Sequence, residues 1–526
     1  MKKTITIQNT TENMTPVIRE ILDTLDNDTE TVIEFEKGEY HFYKDGSLHQ
    51  MSYSSCGAST ENDTVFTIFD KKNVTIDGNG SDFVFCDRVQ PFTLRNSGNI
   101  ILRNFSTDFS FMRYAYAEIL SVADAGMELY LDPELFHYSV KDGAILFHCG
   151  VEDMSTECRK ISCKPICRTG GGIFFLYIGN YFGRYNPAAP NVLADAEKTE
   201  NGVFLRYREH SAKPNFQVGG RICLAYDNDR EMQAFYSEFS KNITLQNVTI
   251  YRQGGMGFVA DVCDNIILDH FNIQLKPGRD EYFATTADGI FLTNCGGKFI
   301  LRNSGIYDTY DDAMNVHGYY TEIEDVLSEN KVKIAHLHPS HWGLVQYLPG
   351  DTVFFSDPVT HDEVGTAVIS EVLYDDDRRN IQLTFRDNTP LKEHLLIENR
   401  TRMPAVLIED NEIKNCPHIR LSSRRMVLRR NKLSLTAGDI YVDDLIDFYK
   451  EYGAVESLLI TENHFGDTGG HNIHILSQRV STSNHLHENI TIENNVFMRT
   501  KKAALSINAV QNLIERNNQF AEEASE

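Results

Sequence analysis

Three aspartates in one short stretch have the residue types and spacing for acid–base chemistry. Asp288 stands in T-T-A-D-G-I-F-L-T-N, and the adjacent pair Asp311 and Asp312 begins 23 residues later, in Y-D-D-A-M-N-V-H-G. Neighbouring carboxylates resist joint ionisation, so Asp311 and Asp312 are expected to titrate as a coupled pair. A third carboxyl group facing them across a sugar ring could stay protonated as a general acid. Inverting glycosidases hold their carboxyl groups about 6.5–9.5 Å apart and retaining ones about 5–5.5 Å, and the spacing alone admits both. One acid facing a pair of bases leans towards inversion. Asn315 and His317 alternate with Met314 and Val316. A regular strand therefore puts both on one face, with Asp311 near its start, where they could hold sugar hydroxyls. Trp342, the only tryptophan, offers either a stacking face for a sugar or a packing anchor. His336, His338 and His341 have no acidic partner in a metal pattern and read as loop residues. A lone aspartate at a strand end is usually a solvated turn residue, and Asp308 is read that way.

The elements that must position these groups form a repeat. Short β-branched strands recur as N-V-T-I-D-G-N-G at Asn73, N-I-I-L-R-N-F at Asn99, N-I-T-L-Q-N-V at Asn242 and N-I-I-L-D-H-F at Asn265. A period in the low twenties with Asn, Gly and Asp at the corners marks a parallel β-helix, in which coils stack about 4.7–4.9 Å apart. On a 23-residue coil, Asp288 and Asp311 would occupy equivalent places on adjacent coils. Asn411, Asn431, Asn463, Asn495 and Asn518 read as corner residues that tolerate left-handed turns or bond along the stack. Residues 15–25 read as a helix closing the N-terminal end, with Pro16 at its first position and Ile18, Ile21, Leu22 and Leu25 as its apolar stripe.

The repeat is interrupted twice by strands without coil pattern. The expected division is 1–111 and 232–320 for the first part and the catalytic coils, 401–526 for the last coils, and 112–231 and 321–400 for two inserted β-rich units. The second insertion leaves directly after His317-Gly318, where it suits a wall or lid. The fold class is therefore all-β: a right-handed parallel β-helix carrying two small β-barrel-like insertions.

Composition bounds the function. The formal net charge is −25 and the pI about 5.1, which argues against nucleic acid and anionic membrane surfaces as partners. A neutral substrate fits more easily than a polyanion. No run of about 18 apolar residues exists, and the M-K-K start lacks the apolar stretch of a signal peptide, so a cytoplasmic location is expected unless a leader was trimmed. A homo-oligomer is compatible with the chain. Of the ten cysteines, Cys158, Cys163 and Cys167 cluster, with His148 and Cys149 upstream. They lack the paired spacing of a zinc site and read as reduced thiols.

The ordered blocks G-G-M-G-F-V-A at Gly254, N-I-I-L-D-H-F-N-I, F-A-T-T-A-D-G-I-F-L-T-N-C-G-G and Y-D-D-A-M-N-V-H-G, followed by P-S-H-W-G-L-V-Q-Y-L-P-G-D-T-V-F-F, resemble glycoside hydrolase family 110. The resemblance implies an inverting exo-α-galactosidase acting on terminal α-1,3-linked galactose, as in the blood group B antigen, with no cofactor and no metal. By motif position Asp288 corresponds to the general acid, and Asp311 and Asp312 to the carboxylates that activate water. Asn315, His317 and Trp342 are then candidates for substrate binding. Two alternatives stay open. A polygalacturonase-like hydrolase also has D-G followed by D-D on a β-helix, but its G-H-G and R-x-K segments have no counterpart in the right place. A non-catalytic carbohydrate-binding β-helix would explain the repeat without explaining the aspartates.

Overall fold

A strand with every second residue apolar buries one face only; here each such strand bonds edge to edge with its equivalent on the next coil and turns its apolar face into a shared interior. The computed structural model describes residues 2–10, 12–55, 60–148, 161–165, 176–178, 193–207, 216–226, 232–443, 449–477, 487–498 and 502–521. It is a parallel β-helix with two closed barrels set into it. Two rows of strands belong to one sheet, because Lys72–Phe85, Gly98–Phe109, Lys241–Ile250 and Asp264–Ile273 run on around a corner. At that corner Asn79, Asn104, Asn247 and His270 take positive φ, the conformation that a short polar side chain tolerates best.

The third row carries the candidate site. It runs through Gln90–Arg95, Phe235–Glu238, Phe258–Asp261, Ile290–Thr293, Met314–Tyr319, Ile419–Leu421, Ile440–Val442 and Ile473–Ile475 in parallel register. Inward residues such as Phe235, Phe258, Ile290, Met314, Val316, Ile419 and Ile440 join the main core. In the first coils that core is a run of aromatic rings, Phe66 to Phe92 to Phe235 with centroids 4.2 and 4.7 Å apart. The helix Thr15–Thr24 adds Ile18 and Leu22 to the same core.

Two asparagine ladders pin the coils. In the first, Asn99, Asn242 and Asn265 each donate to the asparagine of the preceding coil at 2.8–3.0 Å, and all have positive φ. Gly297 ends it, with φ +63° and no room for a Cβ, which would meet Asn265 Oδ1 at 2.4 Å. In the second, Asn411, Asn431, Asn463, Asn495 and Asn518 are joined by Nδ2–Oδ1 bonds of 2.9–3.1 Å. Their backbones are not left-handed. That conformation belongs to the residue before each, Asp410, Arg430, Glu462, Asn494 and Asn517, so these asparagines serve the stack alone.

The first barrel closes between Tyr114–Ala123 and Arg221–Tyr226, which pair with one another. Cys149, Cys158 and Cys167 lie outside the described residues. The second barrel joins Thr321–Ser328, Lys331–His336, Ile381–Phe385, Glu363–Tyr374, Thr352–Ser356 and Leu396–Glu398 around Ile323, Ile334, Val353, Phe355 and Ile369. A tip of this barrel returns to the β-helix. Arg378 Nη1 lies 3.0 Å from Glu238 Oε2, and its guanidinium sits 4.0 Å above the Tyr53 ring. Among the described residues no helix is long and apolar enough to cross a membrane, and no group of three His, Cys, Asp or Glu side chains is arranged to hold a metal ion.

Candidate active site

The same turn is built twice, on adjacent coils. Thr285 bridges Gln253 on one side and Thr309 on the other. Thr285 Oγ1 donates to Ala287 O at 2.8 Å, and Thr309 Oγ1 donates to Asp311 O at 2.6 Å. Each turn then leads into its strand, with Ile290 in register with Met314. The coil is 24 residues here, so the partner of Asp288 is Asp312, and Asp311 stands where the preceding coil has Ala287. This corrects the equivalence of Asp288 with Asp311 that a 23-residue period gives. The turns also pack closely: Gly289 N donates to Asp312 O at 2.9 Å, and a Cβ on Gly289 would meet Ala313 O at 2.7 Å. Any larger residue after Asp288 would push the two coils apart.

Asp288 and Asp312 are buried and Asp311 is half-buried. With coils about 4.8 Å apart, Asp288 and Asp312 leave the backbone one strand spacing from each other. His418 Nε2 lies 3.1 Å from Asp312 Oδ1. Behind His418, Arg420 is paired with Asp443 at 2.6 Å. Burial works against the Arg420 charge, but Asp443, Asp312 and Glu451 outweigh it and hold this guanidinium above the ordinary arginine value. Asp312 thus sits beside a permanent cation, which favours its ionised form.

Asn315 and His317 point outward from Met314–Tyr319, since Met314 and Val316 between them fill the core. Asn315 is in register with Arg420 on the next coil. His317 is fully enclosed, and burial holds its imidazole down to about 3. Opposite it stands Glu451, whose Oε1 is 3.5 Å from His317 Nε2. Burial pushes the Glu451 carboxyl up to about 7. Glu451 reaches this place because Glu451–Tyr452 pairs antiparallel with Gly318–Tyr319, folding a later loop back over the site.

The structure places Asp288 and Asp312 in equivalent turns on adjacent coils, Asp311 beside Asp312, and Asn315 and His317 on the outward side of the strand that follows. Trp342 is exposed and follows the short helix Pro339–His341. Its neighbour His341 packs against Tyr319, the two rings tilted by 36° with centroids 3.6 Å apart. The reading of the nearby histidines as loop residues needs correction: His336 ends a barrel strand, and His341 is wholly buried with its imidazole held well below its usual range by burial. Asp308 is a left-handed turn residue, bonded by Asn415 Nδ2 at 3.1 Å. Sequence reasoning missed His418, Arg420, Asp443 and Glu451. The only signal for Arg420 was its place between Ile419 and Leu421, an outward position in a strand, and its alignment with Asn315 spans the whole second barrel.

No known family model matches the chain. It is 28% identical over 504 residues to an alpha-1,3-galactosidase B of Phocaeicola vulgatus, covering 87% of this chain and 76% of that protein. It is 27% identical over 483 residues to an alpha-1,3-galactosidase A of Bacteroides thetaiotaomicron, covering 85% and 77%. An alpha-1,3-galactosidase A of Akkermansia muciniphila is 24% identical over 502 residues, with 92% and 80% covered. Among solved structures, an exopolygalacturonase from Thermotoga maritima aligns with a TM-score of 0.36 at 9% identity, over 99% of this chain and 84% of that one. The chain is thus related, over most of its length, to curated proteins named alpha-1,3-galactosidases.

Proposed function

We propose that the protein is an exo-acting glycoside hydrolase that removes terminal α-1,3-linked galactose with inversion. The observation that carries the reading is the doubled turn. It sets Asp288 and Asp312 side by side on adjacent coils, in a chain related over most of its length to curated α-1,3-galactosidases. Asp288 carries the proton and gives it to the glycosidic oxygen as the bond to the anomeric carbon breaks. Asp312, with Asp311, orients a water on the opposite face of the ring and takes its proton as the new C–O bond forms. An oxocarbenium-like transition state lies between. The His418–Arg420 side of the site keeps Asp312 ionised, which separates the roles of two otherwise similar carboxyl groups. Asn315 and His317 bind hydroxyls of the galactosyl ring, and Trp342 stacks at the rim.

The test is proton NMR of the purified protein acting on galactosyl-α-1,3-galactose. Early release of β-galactose is the expected result. Early α-galactose would keep the hydrolase and overturn the assignment of a water-activating pair. No release, with galacturonan oligomers cleaved instead, would make the protein a polygalacturonase-like enzyme. Inertness towards both would overturn the reading altogether.

A further inference from the structure

Exposed aromatic rings taken singly need no explanation on a protein surface. Trp342 and Tyr449, 54% and 41% exposed, rise from one support. Trp342 follows His341 in the chain, the His341 ring lies 5.3 Å from that of His338, and the His338 ring lies 5.6 Å from that of Tyr449. Beneath them, His341 packs on Tyr319 and Tyr319 on His317, with centroids 3.6 and 4.7 Å apart. One run of ring contacts therefore joins the outward side of the strand Met314–Tyr319 to an open aromatic surface. The support is made for packing. His341 is wholly buried, and neither of its ring nitrogens has a hydrogen-bond partner among the described residues. His338 Nδ1 accepts from Ser340 N at 3.2 Å and from Ser340 Oγ at 2.6 Å. Burial holds both imidazoles below their usual range, so near neutrality they are uncharged rings. Tyr449 reaches them through the loop that folds back over the strand, where Tyr320 N donates to Lys450 O at 2.9 Å.

We propose that Tyr449 and Trp342 form a distal subsite for an inner sugar of a neutral oligosaccharide, the part of the glycan left behind when galactose departs, with Tyr449 as a specificity-determining residue. The inference rests on the α-galactoside reading given above and adds to it a preference for substrate length. Distance separates this subsite from the galactosyl ring. The aspartate turns stand at the start of Met314–Tyr319 and the aromatic support at its end. At the rise of a β-strand that strand spans about 16 Å, longer than one hexose ring. A galactosyl ring held at the aspartate end therefore stops short of Tyr319, and what reaches Tyr449 and Trp342 is the chain it was attached to. The chemistry of the surface fits such a chain. Two aromatic rings with polar edges offer flat faces to the C–H faces of a pyranose. The net charge of −25 turns polyanions away and leaves neutral sugars as the ligand class. The folded-back loop that brings Tyr449 also brings Glu451 to His317, so the distal surface and the candidate site are held by the same segment.

The experiment compares kcat and KM for galactosyl-α-1,3-galactose and for a neutral pentasaccharide ending in the same unit, in the whole protein, in Tyr449→Ala and in Tyr449→Phe. Wild type is expected to gain at least about tenfold in kcat/KM with the longer substrate, chiefly through KM, which is the order of effect of one well-placed aromatic contact. Tyr449→Ala should lose that gain, and Tyr449→Phe, which keeps the ring, should retain it. A wild type indifferent to length would overturn the inference, and so would a length preference that survives Tyr449→Ala. An equal fall for both substrates in Tyr449→Ala would mean a structural role and overturn it as well. In all three cases the α-galactoside reading would stand. Failure of wild type to release galactose from either substrate would overturn that reading, and this inference with it.

Discussion

One row of outward positions crosses the third face of the β-helix, from Arg95 through Glu238, Asp261 and Thr293 to His317. Its two halves are treated differently. In the first half the acids are consumed by neighbours. Glu238 is gripped by Arg95 and by Arg378 from the second barrel. Asp261 accepts from Ser55 Oγ at 2.8 Å and from Thr293 Oγ1. In the second half His317 and Glu451 face each other across a gap too wide for a direct bond, and Asp288 and Asp312 are displayed by twin turns. Both halves carry buried acids. The difference is that Glu238 and Asp261 are held in direct bonds, whereas Glu451 stands 3.5 Å from His317. Burial of an acid on a β-helix face therefore says little about function until its oxygens have been accounted for.

Substitution in the second half should break activity and spare the fold. Asp288→Asn and Asp312→Asn are each expected to lower kcat by about 10²–10⁴-fold with an unchanged melting temperature. The two are distinguishable by leaving group. An aryl α-galactoside with an acidic phenol needs no protonation, so it should restore much of the rate to Asp288→Asn and none to Asp312→Asn. Equal rescue of both would remove the acid and base assignments. Substitution in the first half should do the reverse. Glu238→Ala leaves Arg95 and Arg378 facing each other without their anion, a loss of about 3–5 kcal/mol by analogy with broken buried pairs. Denaturant unfolding would show it, while kcat per folded molecule should stay near wild type. A collapse of kcat at full folding would place Glu238 in the catalytic unit and dissolve the contrast.

The fold was legible from the sequence because its signals are local and repeated. Alternating apolar residues announce each strand, and the asparagines at Asn73, Asn99, Asn242 and Asn265 mark a corner that favours left-handed backbone. The candidate site was legible only in part. Asp288, Asp311, Asp312, Asn315 and His317 share two neighbouring coils, so proximity in sequence stood in for proximity in space. The coil length was misjudged by one residue, and a single residue decides which of two adjacent aspartates is the partner of Asp288. His418, Arg420 and Glu451 could not be found this way. A barrel separates the first two from Asn315, and Glu451 arrives by a loop that folds back over earlier coils.

The ladders extend the contrast to neutral groups, with a smaller effect. Asn463 Oδ1 accepts from both Asn431 N, at 3.0 Å, and Asn431 Nδ2, at 2.9 Å, in a buried environment. Asn463→Ala strands both donors, and a cost of about 2–3 kcal/mol is expected. Asn242→Gly, in the exposed ladder, keeps the left-handed backbone and lets water replace the lost bonds, so less than about 1 kcal/mol is expected. Equal losses at the two sites would show that burial is not what makes the second ladder matter.

The smallest effect is the pH dependence carried by Asp261, and it tests whether a satisfied acid still leaves a trace of its burial. Burial pushes the Asp261 carboxyl up to about 6, against the hydrogen bonds from Thr293 and Ser55, which act to lower it. A carboxyl whose folded value lies above its unfolded value binds more protons in the folded state between the two. The contribution of Asp261 to stability must therefore fall as pH rises from about 4 to about 6 and then level off. Asp261→Asn keeps an oxygen to accept from Ser55 and Thr293 but cannot titrate, so the fall should flatten across that window. Unfolding free energies at pH 4.5 and pH 7 for the two proteins measure it. An undiminished fall in the variant would move the pH dependence to another buried acid, Glu451, raised to about 7, or Asp439, raised to about 8, either of which extends the decline above pH 6.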